Sequence, residues 1–172
     1  PGAADRVEIL LRLRDVDEKR MIPPGAFLPA AERYGLNIEL DEWVVSRLID
    51  MLYVHQAFNF ADVRYWVNLS GNSVGDERFA TTLLELVRNA PLKPGTLNFE
   101  ITETAVIRNI ASAGRLMSEL QAMGCQIALD DFGSGLSSFG YLKHLPINYL
   151  KSDGMFIKDI EKDPTNRIFV KS

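Results

Sequence analysis

The sequence predicts a single α/β domain built on a mainly parallel sheet. Short apolar runs alternate with amphipathic stretches of a dozen or more residues, the pattern of strands joined by crossover helices. Proline and glycine fall at segment ends, as at Pro23-Pro24-Gly25, Pro91, Pro94-Gly95 and Gly124. The 172 residues, 47% hydrophobic and 24% charged, suffice for one sizeable core and are short for two. No internal repeat, low-complexity tract or linker divides them.

Val7 to Leu13 alternates like a short strand, with charges at Glu8 and Arg12. A polar stretch and Pro23-Pro24-Gly25 read as a loop. Ala26 to Tyr34 reads as a helix closed by Gly35, where a left-handed cap is expected. Leu40 to about Gln56 carries Trp43, Val44, Leu48 and Leu52 at helical spacing, a stripe assigned to the core. Tyr65 to Leu69 is strand-like. Asp76 can cap a helix whose apolar face is Phe79, Leu83, Leu86 and Val87. Leu97 to Thr102 is the next strand. About Ile107 to Met123 forms a helix presenting Ala113, Leu116, Leu120 and Met123. Gln126 to Asp130 is a buried strand followed by Phe132-Gly133-Ser134-Gly135. Tyr149 to Lys151 is a short strand, and Asp163-Pro164 opens a final helix.

Composition excludes several classes. Nineteen basic against 23 acidic residues leave a net charge of −4, unlike the basic footprint of a duplex-DNA-binding protein. An acidic chain that binds an anionic nucleotide needs metal ions or a locally basic site. The one cysteine, Cys125, excludes an intrachain disulfide framework and a Cys-based zinc finger. No apolar run approaches the ~18 residues of a membrane span, and the first residues lack a signal-peptide core. A reduced cytoplasmic setting is expected.

Polar residues interrupt the apolar strands at telling places. Asn68 lies between Val67 and Leu69, Glu100 between Phe99 and Ile101, and Asp130-Asp131 end the run Ile127-Ala128-Leu129. Lys151 follows Tyr149-Leu150. In parallel α/β folds the carboxyl ends of strands line the active face. Convergent carboxylates there imply cations, shared protons or wide solvent access. All-oxygen donors favour Mg²⁺, Mn²⁺ or Ca²⁺ over zinc or copper. Glu8 sits at the amino end of its strand, so it can join this cluster only if that strand runs antiparallel. Each residue alone has a plainer reading: Glu8 a solvated edge, Asn68 a backbone partner, Asp130-Asp131 a turn, Lys151 a surface charge, Arg12 an ion pair. His55 and His144 have no partner pattern, and Gly133-Ser134-Gly135 lacks the lysine of a P-loop.

Glu8-Ile9-Leu10-Leu11-Arg12, Val67-Asn68-Leu69-Ser70, Glu100-Ile101-Thr102-Glu103, Asp130-Asp131-Phe132-Gly133-Ser134-Gly135 and Lys151-Ser152-Asp153 occur in the order seen in EAL domains. Pro23 to Pro29 is family-like too, and the resemblance runs from about Val7 to the last residue. EAL domains are bacterial phosphodiesterases, and degenerate receptors, of cyclic di-GMP. The resemblance implies a TIM-like (β/α)8 barrel with an antiparallel first strand. It implies that Glu8, Asn68, Glu100 and Asp130 hold one divalent ion, Mg²⁺ or Mn²⁺, and that Asp130 and Asp131 contribute to a second. Neighbouring strand residues face opposite ways, so Asp131 can share an ion with Asp130 only if the chain turns out of the strand. Glu103 would anchor the loop that follows, Lys151 would sit near the attacking water, and Leu10, Arg12 and Asp153 would contact substrate.

Leu13, Leu136 and Ser152 depart from the family pattern without removing a ligand. About five strands are counted where a closed barrel needs eight. The resemblance therefore implies that residues 1–172 are an incomplete EAL domain, that the protein continues beyond Ser172, and that these residues alone are inactive and aggregation-prone. It further implies a homodimer and attached sensory or GGDEF domains. The alternatives are an EAL-type receptor that binds the dinucleotide without cleaving it, or an interaction domain that binds none.

Overall fold

In a computed structural model of the chain, the structure describes residues 6–15, 17–55, 63–133 and 141–152. The chain runs through β1 (Arg6–Ile9), β2 (Leu13–Asp15), β3 (Arg20–Ile22), α1 (Pro24–Arg33) and α2 (Asn37–His55). It continues through β4 (Arg64–Leu69), α3 (Gly71–Gly75), α4 (Glu77–Asn89), β5 (Leu97–Thr102), α5 (Glu103–Arg108), α6 (Ile110–Ala122), β6 (Ile127–Phe132) and β7 (Tyr149–Ser152). Five strands form a sheet of order β1-β4-β5-β6-β7, and every neighbouring pair in it is parallel.

The antiparallel first strand is not found. β1 pairs in parallel with β4, placing Glu8 opposite Trp66 and Ile9 opposite Val67. The strand is four residues long and Glu8 is its third, so Glu8 already stands toward the carboxyl end and needs no reversal. The apolar alternation expected to continue to Leu13 stops at Ile9. Leu13–Asp15 instead starts an antiparallel hairpin with Arg20–Ile22. Its turn is set by Asp15, whose Oδ1 accepts the N–H groups of Asp17 at 3.1 Å and Glu18 at 3.0 Å. This hairpin has no counterpart in the sequence reading, because a polar turn closed by an aspartate looks like any loop.

Strand alternation gives the sheet two unlike faces. Val67, Leu69, Leu97, Phe99, Ile101, Ile127 and Leu129 are buried with Val45, Leu48, Phe79, Leu83, Val106, Leu116, Met117 and Leu120 of the helices. Burying each such side chain stabilises by about 1.5–3 kcal/mol. The opposite face carries Arg6 and Glu8, Trp66 and Asn68, Glu100, Asp130, Tyr149 and Lys151, in register across the strands.

Helix ends explain the remaining differences. Asp76 caps α4 through the Phe79 N–H at 2.8 Å, as expected. The single helix anticipated from Ile107 to Met123 is two: α5 stops at Asn109, whose Oδ1 accepts the Ser112 N–H at 3.2 Å and starts α6. Gly124, at φ 89, closes α6, and a Cβ there would lie 2.6 Å from Pro94 Cβ. Only glycine satisfies both demands. Trp43 is 57% exposed and not core; α2 turns Val45, Leu48 and Ile49 inward instead. The helix opening at Asp163-Pro164 lies outside the described residues.

The turn that follows Asn68 is fixed from a distance. Asp41 of α2 accepts the Ser70 N–H at 2.8 Å and the Ser73 hydroxyl at 2.6 Å on one oxygen. Ser70 Oγ accepts the Ser73 N–H at 3.2 Å, capping α3. Burial raises the Asp41 carboxyl above its ordinary 3.8, although the bonds from Ser73 and Ser70 pull it down. The folded state therefore holds this proton more tightly than the unfolded chain. Stability from Asp41 is full below pH 3.8 and is lost as pH rises through the raised folded value. Asp41→Asn keeps an acceptor without the buried charge and should flatten that loss. Asp41→Ala strands two donors and should cost about 1–3 kcal/mol. Urea melts of both variants across the acid range check the pair.

Candidate functional site

The helix-free face of the sheet gathers polar groups at the carboxyl ends of adjacent strands. Asn68 stands opposite Glu100 in the β4–β5 register, and Thr102 stands opposite Asp130 in the next. Asn68 Nδ2 donates to Glu8 Oε1 at 2.8 Å, joining the first two expected ligands. Glu100 is 1% exposed. Its Oε1 accepts Arg6 Nη2 at 3.0 Å and its Oε2 accepts Lys151 Nζ at 2.5 Å. The same ammonium donates to Asp130 Oδ2 at 3.1 Å. A carboxylate so deeply buried is costly to ionise unless cations and donors surround it, and here two cations do.

Burial alone would lower the Lys151 ammonium. Hydrogen bonds and charge from Glu100 and Asp130 outweigh it and raise the group above 10.5, so it stays protonated at neutral pH. Arg6 is placed by stacking as well as by charge: its guanidinium carbon lies 3.9 Å above the Trp66 ring and 5.1 Å from that of Tyr149. Trp66 and Tyr149 pack edge to face at 5.4 Å. The buried Trp66 Nε1 finds no acceptor among the described residues.

β6 breaks its alternation at the acidic pair. The β6–β7 register shifts between Leu129 and Phe132, and Asp131 adopts φ 54, a left-handed conformation aspartate tolerates better than most residues. The Asp131 N–H donates to Asp130 Oδ1 at 2.9 Å. The break in alternation thus falls on Asp131 within β6, which runs on to Phe132, and not on the glycine segment expected to supply it. Glu103, 1% exposed, accepts the Gly133 N–H at 2.9 Å on Oε2 and the Tyr141 hydroxyl on Oε1. It therefore binds both flanks of residues 134–140, which lie outside the described residues.

Other expected site residues are not brought together. Arg12 is exposed, donates to the Leu11 carbonyl at 2.8 Å, and lines a groove of about 610 Å³ with Phe27, Tyr34, Leu40 and Trp43. Leu10 is 56% exposed. No hydrogen bond or ion pair among the described residues joins either to the carboxylates. Asp153 lies outside the described residues. Sequence reading missed Arg6, Asp41 and Tyr141. Arg6 was legible, being two residues before Glu8 on a strand and so on the same face. Nothing in the spacing marks Asp41 or Tyr141.

The donor set fits a hard divalent ion. Glu8, Asn68, Glu100 and Asp130 offer only oxygen as ligands, and the buried carboxylate already draws cations to itself. Among the described residues no three carboxylate, histidine or cysteine side chains close on one point; Lys151 lies between Glu100 and Asp130, and Arg6 holds the other oxygen of Glu100. Thiol chemistry is remote: burial pushes Cys125 up to about 12. No helix among the described residues is long and apolar enough to cross a membrane.

The chain is similar to known proteins in both sequence and fold. Cyclic di-GMP phosphodiesterase PdeF of Escherichia coli is 37% identical over 153 residues, spanning 89% of this chain and 20% of that protein. The bifunctional diguanylate cyclase/cyclic di-GMP phosphodiesterase MucR of Pseudomonas aeruginosa is 36% identical over 171 residues, 96% of this chain and 24% of MucR. The crystal structure of the FimX EAL domain from Pseudomonas aeruginosa bound to c-di-GMP matches with a TM-score of 0.83 at 32% identity, over 99% of this chain and 67% of that one. The chain thus spans about a fifth to a quarter of these curated relatives. The family model for the EAL domain matches residues 2–172, and the chain belongs to the EAL domain family.

Proposed function

We propose that this chain is part of a TIM-like barrel that hydrolyses cyclic di-GMP to linear pGpG. Glu8, Asn68, Glu100 and Asp130 would hold one Mg²⁺ or Mn²⁺, and Asp130 with Asp131 would contribute to a second. The observation that carries the reading is Lys151, whose ammonium bridges buried Glu100 and half-buried Asp130 at the carboxyl ends of parallel strands. That is where barrel folds place their chemistry. When bound, the ions would offset the charge of the phosphodiester and ease deprotonation of the attacking water.

The chain's own groups divide the remaining work. Lys151, protonated, is a donor and not a general base; it orients the attacking water and offsets the charge gathering on phosphorus. Asn68 commits its Nδ2 to Glu8, leaving its Oδ1 as the ligating atom. Glu103 holds the segment after Asp131 at both ends. Arg12, Leu10 and Asp153 bind the dinucleotide, Arg12 through a phosphate. Water adds to phosphorus, one P–O3′ bond breaks, and the departing 3′ oxygen takes up a proton.

Similarity to MucR, which is named for two activities, supports a place in a longer chain with a GGDEF or sensory domain. A homodimer formed beside the segment after Gly133 would let such a domain act on the site. The retained ligands and Lys151 favour the enzyme over a receptor that binds without cleaving.

Mn²⁺ or Mg²⁺ should raise the melting temperature of the full-length protein, and Asp130→Asn should remove most of the gain. Calorimetry that records no cation binding to the folded protein would sink the site assignment. Incubation with cyclic di-GMP and Mn²⁺, followed by chromatography, should yield pGpG. Lys151→Ala should slow turnover by about 10²-fold or more while dinucleotide affinity changes little. Tight binding without product in the wild type would favour the receptor. Glu103→Ala leaves the Gly133 N–H and the Tyr141 hydroxyl without their acceptor. It should speed proteolytic nicking between Gly133 and Tyr141, and unchanged nicking would remove Glu103 as the anchor.

A further inference from the structure

The side chain with the tightest hold on Glu100 apart from Lys151 comes from outside every motif. Arg6, at the start of β1, reaches along the open face of the sheet to Glu100 Oε1 at 3.0 Å. Its side chain is 39% exposed where that of Glu100 is 1% exposed. The two partners therefore differ in freedom: the carboxylate is fixed in the sheet, and the guanidinium has a path to solvent. In the same pose the Arg6 guanidinium stacks on Trp66 at 3.9 Å and lies near Tyr149 at 5.1 Å. A guanidinium on an aromatic face keeps much of its attraction after an ion pair is released.

From this geometry we infer that Arg6 is a built-in counter-cation that competes with a divalent metal for Glu100. The inference rests on the metal reading of the site given above. Without metal, Arg6 and Lys151 together hold the two oxygens of the buried Glu100 in place. When a divalent ion takes the carboxylate, Arg6 lets go of Oε1 and stays on the Trp66–Tyr149 pair. A positive charge this close repels the incoming ion, so Arg6 lowers affinity while it protects the metal-free fold. It sets the metal concentration at which the site fills.

The test is calorimetric titration of Mg²⁺ and Mn²⁺ into the full-length wild type, Arg6→Gln and Arg6→Lys. Arg6→Gln should bind about tenfold more tightly, and Arg6→Lys, which keeps the charge, should stay near the wild type. Metal-free Arg6→Gln should melt below the wild type yet gain more on saturation, since tighter ligand binding to the folded state adds stability. A structural clamp between β1 and β5 would lower both melts equally and leave affinity unchanged or weaker, and that result overturns the proposal.

A second readout does not depend on Arg6→Gln folding. The emission of Trp66 is read as the difference between the full-length wild type and its Trp66→Phe variant. Mg²⁺ should shift that emission as the guanidinium loosens. Binding recorded by calorimetry with no change in Trp66 emission would overturn the competition. A wild type that binds neither ion would instead overturn the metal reading itself, and the competition with it.

Discussion

One buried carboxylate organises the open face of this domain. Glu100 sits centrally in β5 with 1% of its surface exposed, flanked by β4 and β6. Ionised, it needs positive partners; neutral, it would leave Lys151 and Arg6 facing each other without their common counter-ion. Its two oxygens therefore recruit one cation from β1 and another from β7, the two edges of the sheet. Strands that share no direct hydrogen bonds are tied through a single side chain. Replacing one partner of such a pair by an apolar group commonly costs about 3–5 kcal/mol, because the remaining charge stays buried.

The parallel register makes this convergence possible. In parallel pairs, side chains opposite one another share a face, so Asn68 and Glu100, then Thr102 and Asp130, climb the sheet in steps. Each crossover helix then covers the other face with Phe79, Leu83, Leu116 or Leu120. That division is the energetic basis of the site: the helix side supplies the apolar burial, and the open side can then carry groups that destabilise one another. Among the described strands of this sheet the alternation is broken at the Asp131 bulge, on one of the two acids that the family resemblance pairs on a second ion.

Much of this was legible before any coordinates. Period-two alternation identified Leu97–Thr102 with its observed bounds, and the polar interruptions at Asn68, Glu100 and Asp130 placed three expected ligands on one face. The direction of the first strand was not legible. Four residues carry no polarity signal, and the assumption that the strand extended to Leu13 put Glu8 at the wrong end. Trp43 shows the limit of helical spacing: an apolar stripe on α2 could have turned either Trp43 or Val45 inward, and packing against the neighbouring helices selected Val45. Asp41 and Tyr141 act through tertiary contacts 29 to 38 residues away in sequence, beyond the reach of any local pattern.

Charge along the open face runs from donors at one end to acceptors at the other. Toward the amino ends of the strands lie Arg6, Arg64 bonded to Gln126 at 2.9 Å, and the indole N–H of Trp66. Toward the carboxyl ends lie Glu8, Glu100, Asp130 and Asp131, with Lys151 among them. The described part of the rim therefore gathers more negative than positive charge, and the whole chain carries −4. An anionic dinucleotide approaching that rim meets repulsion unless added cations reverse its sign. Lys151 alone cannot do this, because its charge is already divided between Glu100 and Asp130. The carboxylates on this rim thus call for positive charge beyond their own, and Arg6 and Lys151 supply the part of it that the chain itself provides.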